Sequence, residues 1–157
     1  MRVSLGYNHW YDPDRIHAFA TEVGNKIPKF MAMLDVDTMV MHGNSGISIG
    51  FAAVALMRNA NVRTPKLAVV RKDNDSSHGD PIEGSDVIGD YFILDDFVAT
   101  GNTIRRVTSK IALLANQRGL STAPKCKGVL VYSTDACGRI TLDDGESIQI
   151  WSSYVHE

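Results

Sequence analysis

One stretch of the chain decides how its fold is interpreted: ILDDFVATGNTI, residues 93–104. An apolar run ends in the adjacent carboxylates Asp95 and Asp96, and the polar segment TGNT follows at residues 100–103. From Asn102 onward, apolar side chains recur at helical spacing. The stretch therefore predicts a buried strand that ends in two aspartates, followed by a short loop and an amphipathic helix.

The two halves of this stretch indicate two kinds of ligand group. Adjacent carboxylates repel each other, but each can accept a charge-assisted hydrogen bond from one hydroxyl of a vicinal diol. The start of the helix offers unpaired N–H groups and a favourable dipole to a phosphate. Gly101 allows close backbone approach, and Thr100 and Thr103 add hydroxyl donors. Either half alone is typical of an ordinary strand end or helix cap; together they predict a ribose phosphate site.

Strands and helices alternate along the rest of the chain. Short apolar runs predict strands at residues 38–41, 67–70, 91–94, 129–132 and 148–151. Helical periodicity predicts helices at about residues 15–34 (bent or divided at Gly24 and Pro28), 47–57 and 102–118. This order predicts an α/β fold with a central, mostly parallel sheet flanked by helices.

Ligands bind beyond the carboxyl ends of the strands in such sheets. Four strand ends carry polar or glycine-rich sequence, and we expect them to face one crevice: residues 42–46, 71–84, 95–103 and 133–138.

The run ILDDFVATGNTI resembles the ribose-phosphate signature of the type I phosphoribosyltransferases, and the flanking elements match that family's order from about Val36 to Tyr132. The resemblance implies that Asp95 and Asp96 bind the ribose 2′- and 3′-hydroxyls. It implies a 5′-phosphate site at Ala99, Thr100, Gly101, Asn102 and Thr103. By position, the family's pyrophosphate loop corresponds to Gly43, Asn44, Ser45 and Gly46.

The polar segment after the second strand looks most like the orotate branch of this family. Arg71, Lys72 and His78 would then neutralise the departing pyrophosphate, on a loop that closes over the site. The sequence departs from that branch at Ser76, where a further lysine is expected. It also lacks the arginine that the branch places after the strand ending at Tyr132.

The resemblance implies transfer of 5-phosphoribosyl from 5-phosphoribosyl-1-pyrophosphate (PRPP) to a purine, pyrimidine or related base. Mg²⁺ would be the cofactor, held mainly by PRPP and water, with no direct protein ligand. Trp151 could stack on the base, although packing into the core explains it equally well. A small hood is expected from about the first 35 residues, the C-terminal strand, or both. Family members usually pair as homodimers.

Two other functions compete with this interpretation. A non-catalytic domain that senses PRPP or a nucleotide is favoured by the absent loop lysine and the small hood. The segment GISIG, residues 46–50, fits the G-x-S-x-G pattern of serine hydrolases, with Ser48 as nucleophile. However, this pattern begins several residues after the predicted strand ends, and it is common by chance.

Composition sets broad limits on the protein. Its 157 residues, 44% hydrophobic and 22% charged, fit a single domain over residues 1–157. The net charge of −2 predicts no general attraction to nucleic acid or to anionic membranes. Without a signal peptide or membrane span in the sequence, we expect a cytoplasmic protein. Cys126 and Cys137 lack the spacing of a metal or redox motif.

Overall fold

A computed structural model of the chain describes residues 12–72, 80–85, 88–135 and 137–153. The α/β class predicted from the sequence is confirmed. The elements are α1 (Pro13–Leu34), β1 (Thr38–His42), α2 (Gly43–Asn59), β2 (Lys66–Val70), β3 (Ile82–Gly84), β4 (Tyr91–Asp95), α3 (Asn102–Gln117), β5 (Cys126–Val131), β6 (Gly138–Thr141) and β7 (Ser147–Ser152).

All of these strands belong to one seven-stranded sheet, in the order β3-β2-β1-β4-β5-β7-β6. Neighbouring strands from β2 to β7 in this order are parallel, whereas the edge strands β3 and β6 are antiparallel to their neighbours. The unit β1-α2-β2 extends the sheet in one direction and β4-α3-β5 extends it in the other. The switch point therefore lies between β1 and β4, where α/β sheets of this kind bind ligands.

Helices cover both faces of the sheet. Because successive strand side chains point to opposite faces, Met39 and Phe92 pack with α1 and α2, whereas their neighbours Val40 and Ile93 pack with α3. Every residue of β1 and β4 is buried, as expected for central strands covered on both sides. None of the helices in the described part of the chain is long and apolar enough to cross a membrane.

The first helix differs from the prediction because it runs unbroken through Gly24 and Pro28. Its ends are fixed: the Asp12 carboxylate accepts hydrogen bonds from two first-turn N–H groups, and Asp35 closes the last turn with a left-handed backbone. Gly24 lies against α2, where an added Cβ would be 3.5 Å from the Ala53 carbonyl oxygen. Packing against α2 therefore outweighs the helix-breaking tendency of Gly24, and α1 also continues through Pro28.

Two strands were not predicted. β3 has three residues and pairs with β2 from within the segment taken as polar loop, and β6 has four residues, of which only Ile140 is buried. Both are edge strands, so their formation depends on pairing with a neighbour rather than on a local hydrophobic pattern.

The structure places the described parts of the two segments predicted to form a hood, α1 and β7, in the α/β core. α1 buries Ala20, Val23 and Ile27 in the cluster that it shares with α2, and β7 pairs with β5 inside the sheet. A separate hood is therefore not found within the described ranges, which leave out residues 1–11 and 154–157.

Trp151, on β7, is half-buried and packs against the core cluster that α1 and α2 share. Its ring packs edge-on against Phe30, with centroids 4.9 Å apart and an interplanar angle of 89°. A Cβ at Gly128 would come within 2.6 Å of the indole, so the glycine makes room for the ring. The core-packing alternative stated for Trp151 is the one that the structure supports.

We predict that Trp151→Ala lowers the free energy of unfolding by about 2–4 kcal/mol, because it removes a large, partly buried side chain. Urea denaturation would measure this loss. Phe51→Ala is a suitable control, since Phe51 is 49% exposed, and it should change stability by less than about 1 kcal/mol. Equal losses in the two variants would contradict the core role of Trp151.

Candidate functional site

A cavity of about 410 Å³ lies where β1, β2 and β4 end. It brings together the three segments predicted to bind ribose, phosphate and pyrophosphate, at the switch point of the sheet. Its lining consists of His42, Gly43, Ser45, Lys72, Asp95, Asp96, residues 97–104 and Arg106. A larger cavity of about 560 Å³ lies at the amino ends of the strands, near Asp37 and Asp90, and contains none of the predicted site residues.

The acidic pair is held by its own backbone and by the end of β5. Asp95, the last residue of β4, is 8% exposed, and its carboxylate accepts the Asp96 N–H at 2.9 Å. The Asp96 carbonyl accepts the Ser133 N–H at 3.0 Å and the Ser133 hydroxyl at 2.7 Å. The segment that begins at Ser133 therefore positions the acidic pair and, among the described residues, does not line the cavity.

Burial changes the protonation of Asp95. Desolvation is the main cause, and hydrogen bonding to Asp96 and the charge of Asp96 add to it, so that the pKa of Asp95 rises to about 7. Near neutral pH, both protonation states are therefore populated. Hydroxyl donors or a cation brought by a ligand would stabilise the ionised form.

The predicted phosphate loop, residues 99–103, is held against β6. Arg105 donates hydrogen bonds to the Thr141 carbonyl at 2.9 Å, the Thr100 carbonyl at 3.1 Å and the Asn102 side-chain oxygen at 3.0 Å. Gly101 has a φ of 79°, and a Cβ there would lie 2.1 Å from Ile140 Cδ1. Only glycine satisfies both the backbone angle and this close approach.

The N-termini of α2 and α3 both contribute to this cavity, and neither N-cap residue, His42 or Gly101, makes a side-chain capping hydrogen bond. At α3, the Thr100 hydroxyl accepts the Asn102 N–H at 3.4 Å. Neither has an acidic residue in its first turn. By contrast, α1 lies outside the cavity and has the Asp12 cap and the acidic residue Asp14. The two helix ends at the cavity therefore keep N–H groups and partial positive charge available to anions.

The predicted pyrophosphate loop, residues 43–46, forms the first turn of α2 rather than a separate loop. Gly43 has a φ of 72°, in the left-handed region, where the chain passes from β1 into the helix. Gly43 and Ser45 line the cavity, whereas Asn44 and Gly46 are not among its lining residues within the described chain. The helix begins earlier than predicted because glycine permits the sharp entry.

The three predicted cationic residues occupy different places. Lys72 lines the cavity, but the Arg71 guanidinium is 3.0 Å from Glu83 of β3, and the Arg71 carbonyl accepts a hydrogen bond from Lys110 at 2.7 Å. Arg71 is not among the described residues that line the cavity, so a role in neutralising pyrophosphate is not supported for it. His78 lies outside the described residues.

Two lining residues were missed by the sequence analysis. His42 is 7% exposed, and its Nδ1 lies 2.8 Å from the Val70 carbonyl oxygen. Arg106 lines the cavity one position after Arg105, at helical spacing from Thr103. The signals that could have found them are a histidine at the end of an apolar run and a cation one turn into the phosphate-binding helix.

The serine hydrolase alternative is not compatible with the structure. Ser48 lies inside α2 rather than at the turn between strand and helix. Its hydroxyl donates to the Asn44 carbonyl at 2.7 Å, as serine commonly does within helices. A nucleophile elbow instead exposes its serine at a sharp turn directly after a strand.

The acidic pair supplies the oxygen ligands that a divalent cation would meet here. Within the described ranges, no group of three or more histidine, cysteine or acidic side chains is arranged to hold a metal ion. Two carboxylates beside uncapped helix ends fit a cation that arrives with an anionic substrate.

Comparison with solved structures identifies the fold. Orotate phosphoribosyltransferase of Francisella tularensis superposes with a TM-score of 0.65 at 14% identity, covering 92% of this chain and 68% of that chain. A phosphoribosyltransferase of Corynebacterium diphtheriae gives 0.53 at 18% identity, covering 92% and 85%. UMP synthase of Leishmania donovani gives 0.56 at 19% identity, covering 90% of this chain but 27% of that one.

The chain therefore has the type I phosphoribosyltransferase fold, as its sequence motif predicted. No family model matches the sequence, and a search of curated proteins finds no match.

We predict that Gly101→Ala destabilises the protein by about 2–4 kcal/mol, because backbone strain adds to the collision with Ile140. Gly119→Ala is the matched control: its φ is 72°, but nothing lies within 4 Å of an added Cβ. That variant should lose only about 1 kcal/mol from backbone strain. Chemical denaturation compares the two, and similar losses would show that contact with Ile140 does not matter.

We predict that Asp95→Asn flattens the pH dependence of stability. With its pKa raised from 3.8 to about 7, Asp95 holds a proton in the folded state that it releases on unfolding. Folding stability from this group therefore falls as the pH rises through this range. Relative to wild type, Asp95→Asn should gain about 1–3 kcal/mol between about pH 4 and about pH 8.

Denaturant titrations across this pH range would measure the gain. Asp96→Asn tests which cause of the raised Asp95 pKa is larger. It removes the neighbouring charge but leaves Asp95 buried, and burial is the main cause. This variant should keep most of the wild-type slope. Parallel profiles for wild type and Asp95→Asn would contradict the prediction.

Proposed function

We propose that the protein is a phosphoribosyltransferase that moves 5-phosphoribosyl from PRPP to a nitrogenous base and releases pyrophosphate. One observation carries the proposal: an acidic pair, buried at Asp95 and half-buried at Asp96, shares a single cavity with two helix N-termini whose N-cap residues make no side-chain cap. PRPP has the matching groups, namely a vicinal diol between a phosphate at one end of the sugar and a diphosphate at the other.

In the proposed complex, Asp95 and Asp96 accept hydrogen bonds from the 2′- and 3′-hydroxyls. The first-turn N–H groups of α3 and the Thr100 and Thr103 hydroxyls bind the 5′-phosphate. The first turn of α2 and the Lys72 ammonium bind the diphosphate. Each group of the substrate thereby meets a protein group of complementary charge.

The reaction breaks the bond between C1′ and the pyrophosphate oxygen, and the electron pair leaves with pyrophosphate. A ring nitrogen of the base forms the new bond to C1′ and then loses its proton. Positive charge develops on the sugar in between, and the acidic pair is positioned beforehand to stabilise it. The cavity also aligns the reacting groups.

Magnesium bound to PRPP would neutralise diphosphate charge and assist its departure. The Asp95 and Asp96 carboxylates are the protein groups that could receive its water ligands.

The base acceptor has a candidate contact residue in Phe97. Phe97 follows Asp96, lines the cavity and is 50% exposed, so an apolar ring is available beside the proposed ribose site. A planar base could pack on this ring. Phe97 therefore replaces Trp151 as the aromatic residue proposed to contact the base. The identity of the base and pairing into a homodimer stay predictions from the family resemblance.

A non-catalytic PRPP or nucleotide sensor is the second candidate. One observation favours it: Arg71 is paired with Glu83, so Lys72 is the only member of the predicted Arg71-Lys72 pair that lines the cavity. Fewer cations near the diphosphate would weaken stabilisation of the leaving group while still permitting binding.

We predict that changing Asp95→Asn together with Asp96→Asn abolishes PRPP binding and lowers nucleotide formation at least about 100-fold. The wild-type protein would be assayed with the magnesium complex of PRPP and a panel of purines, pyrimidines and orotate, and calorimetry would measure binding. Asp143→Asn with Asp144→Asn is the matched control. It makes the same two substitutions at an exposed adjacent pair between β6 and β7, so it should retain binding and turnover.

Binding of PRPP to wild type without turnover of any base would favour the sensor. Absence of binding, or equal binding by both double variants, would overturn the ribose phosphate site itself.

A further inference from the structure

His42 occupies an unusual position in this cavity. It is the last residue of β1, immediately before the uncapped N-terminus of α2, and is 93% buried, as its 7% exposure shows. A buried polar side chain normally has hydrogen-bond partners for its polar atoms. The contacts of its two ring nitrogens therefore indicate what the histidine does.

The ring orientation fixes the position of one proton. The Val70 carbonyl oxygen, 2.8 Å from Nδ1, can only accept a hydrogen bond, so Nδ1 carries a proton. Nε2 has no hydrogen-bond partner among the described residues. It is also not fully buried, because it is absent from the fully buried side-chain atoms of those residues that lack a partner. Since His42 lines the cavity, Nε2 is available to a ligand there.

We infer that His42 is a further pyrophosphate-binding residue, whose protonated ring bridges the Val70 carbonyl through Nδ1 and a diphosphate oxygen through Nε2. The inference rests on the proposed function, because it assigns the diphosphate to the α2 side of the cavity. A ring with Nδ1 already donating must bind a second proton before Nε2 can donate to an anion. Protonation of His42 therefore strengthens pyrophosphate binding.

Other charged groups line the same cavity. Lys72 follows β2, Asp95 and Asp96 end β4, and Arg106 lies on α3. Both cations attract an anion whatever residue stands at position 42. Asp95 becomes more negative as the pH rises, because its pKa is raised, and this also weakens anion binding. That effect, and protonation of pyrophosphate itself, are common to every variant at position 42.

Two substitutions separate the roles of the ring nitrogens. The amide of His42→Asn can replace Nδ1 at the Val70 carbonyl but supplies no group at the Nε2 position. The longer amide of His42→Gln can place a donor near the Nε2 position whose charge does not change with pH. Binding of magnesium pyrophosphate and of ribose 5-phosphate would be measured by calorimetry at about pH 6 and about pH 8.

For each protein, the loss of pyrophosphate affinity from the lower to the higher pH is measured. This loss should be about tenfold larger in wild type than in either variant. At the higher pH, wild type and His42→Asn should differ little. Affinity for ribose 5-phosphate should stay within about twofold of wild type in both variants, since that ligand does not need the α2 site. Thermal unfolding would confirm that at least one variant is folded.

Ring ¹⁵N NMR gives a second readout that a structural role would not produce. The His42 signal, identified by its absence from His42→Asn, should shift toward the protonated form when pyrophosphate is added near neutral pH. If the signal does not shift, the inference about His42 is overturned. It is also overturned, without the proposed function, if the pyrophosphate affinities of wild type and variants change equally with pH while ribose 5-phosphate still binds. If wild type binds neither ligand, the proposed function is overturned as well.

Discussion

Burial of the Asp95 carboxylate at the end of the central strand β4 is the constraint around which the site is organised. β4 pairs with β1 on one side and β5 on the other, and both faces of the sheet are covered, so the last residue of this strand has little access to water. The raised pKa of Asp95 is the consequence in the free protein. A ligand that supplies hydroxyl donors and a cation offsets this penalty, which links the burial directly to ligand choice.

Two pairs of adjacent cations near the cavity, Arg71 with Lys72 and Arg105 with Arg106, have divided roles. Arg71 holds Glu83 of β3, and Arg105 holds the phosphate loop to β6, so each guanidinium joins an edge strand to the site. The residue after each of them, Lys72 or Arg106, lines the cavity instead. The edge strands thus bind one cation of each pair, Arg71 or Arg105. The other cation of each pair stays available to an anionic ligand.

The parts of the fold and site that the sequence predicts are those encoded locally. The apolar run, acidic pair and helix start at residues 93–104 lie within one short segment, and the buried central strands have continuous apolar runs. β3 and β6 depend on pairing with distant segments, as does the partner of Arg71. The core position of Trp151 depends on its contact with Phe30, and no local pattern encodes that contact.

The geometry of the switch point also narrows the class of ligand. β1 and β4 are adjacent strands, and the helix N-termini that follow them along the chain line one cavity. A single phosphate could use only one of these ends fully, and the other would keep unpaired N–H groups. The acidic pair at the end of β4 disfavours an anionic group beside it and favours hydroxyl donors there. A sugar that carries a phosphate and a diphosphate on either side of a diol matches all three features, whereas a nucleoside monophosphate matches only two of them. The proposed function rests on this match.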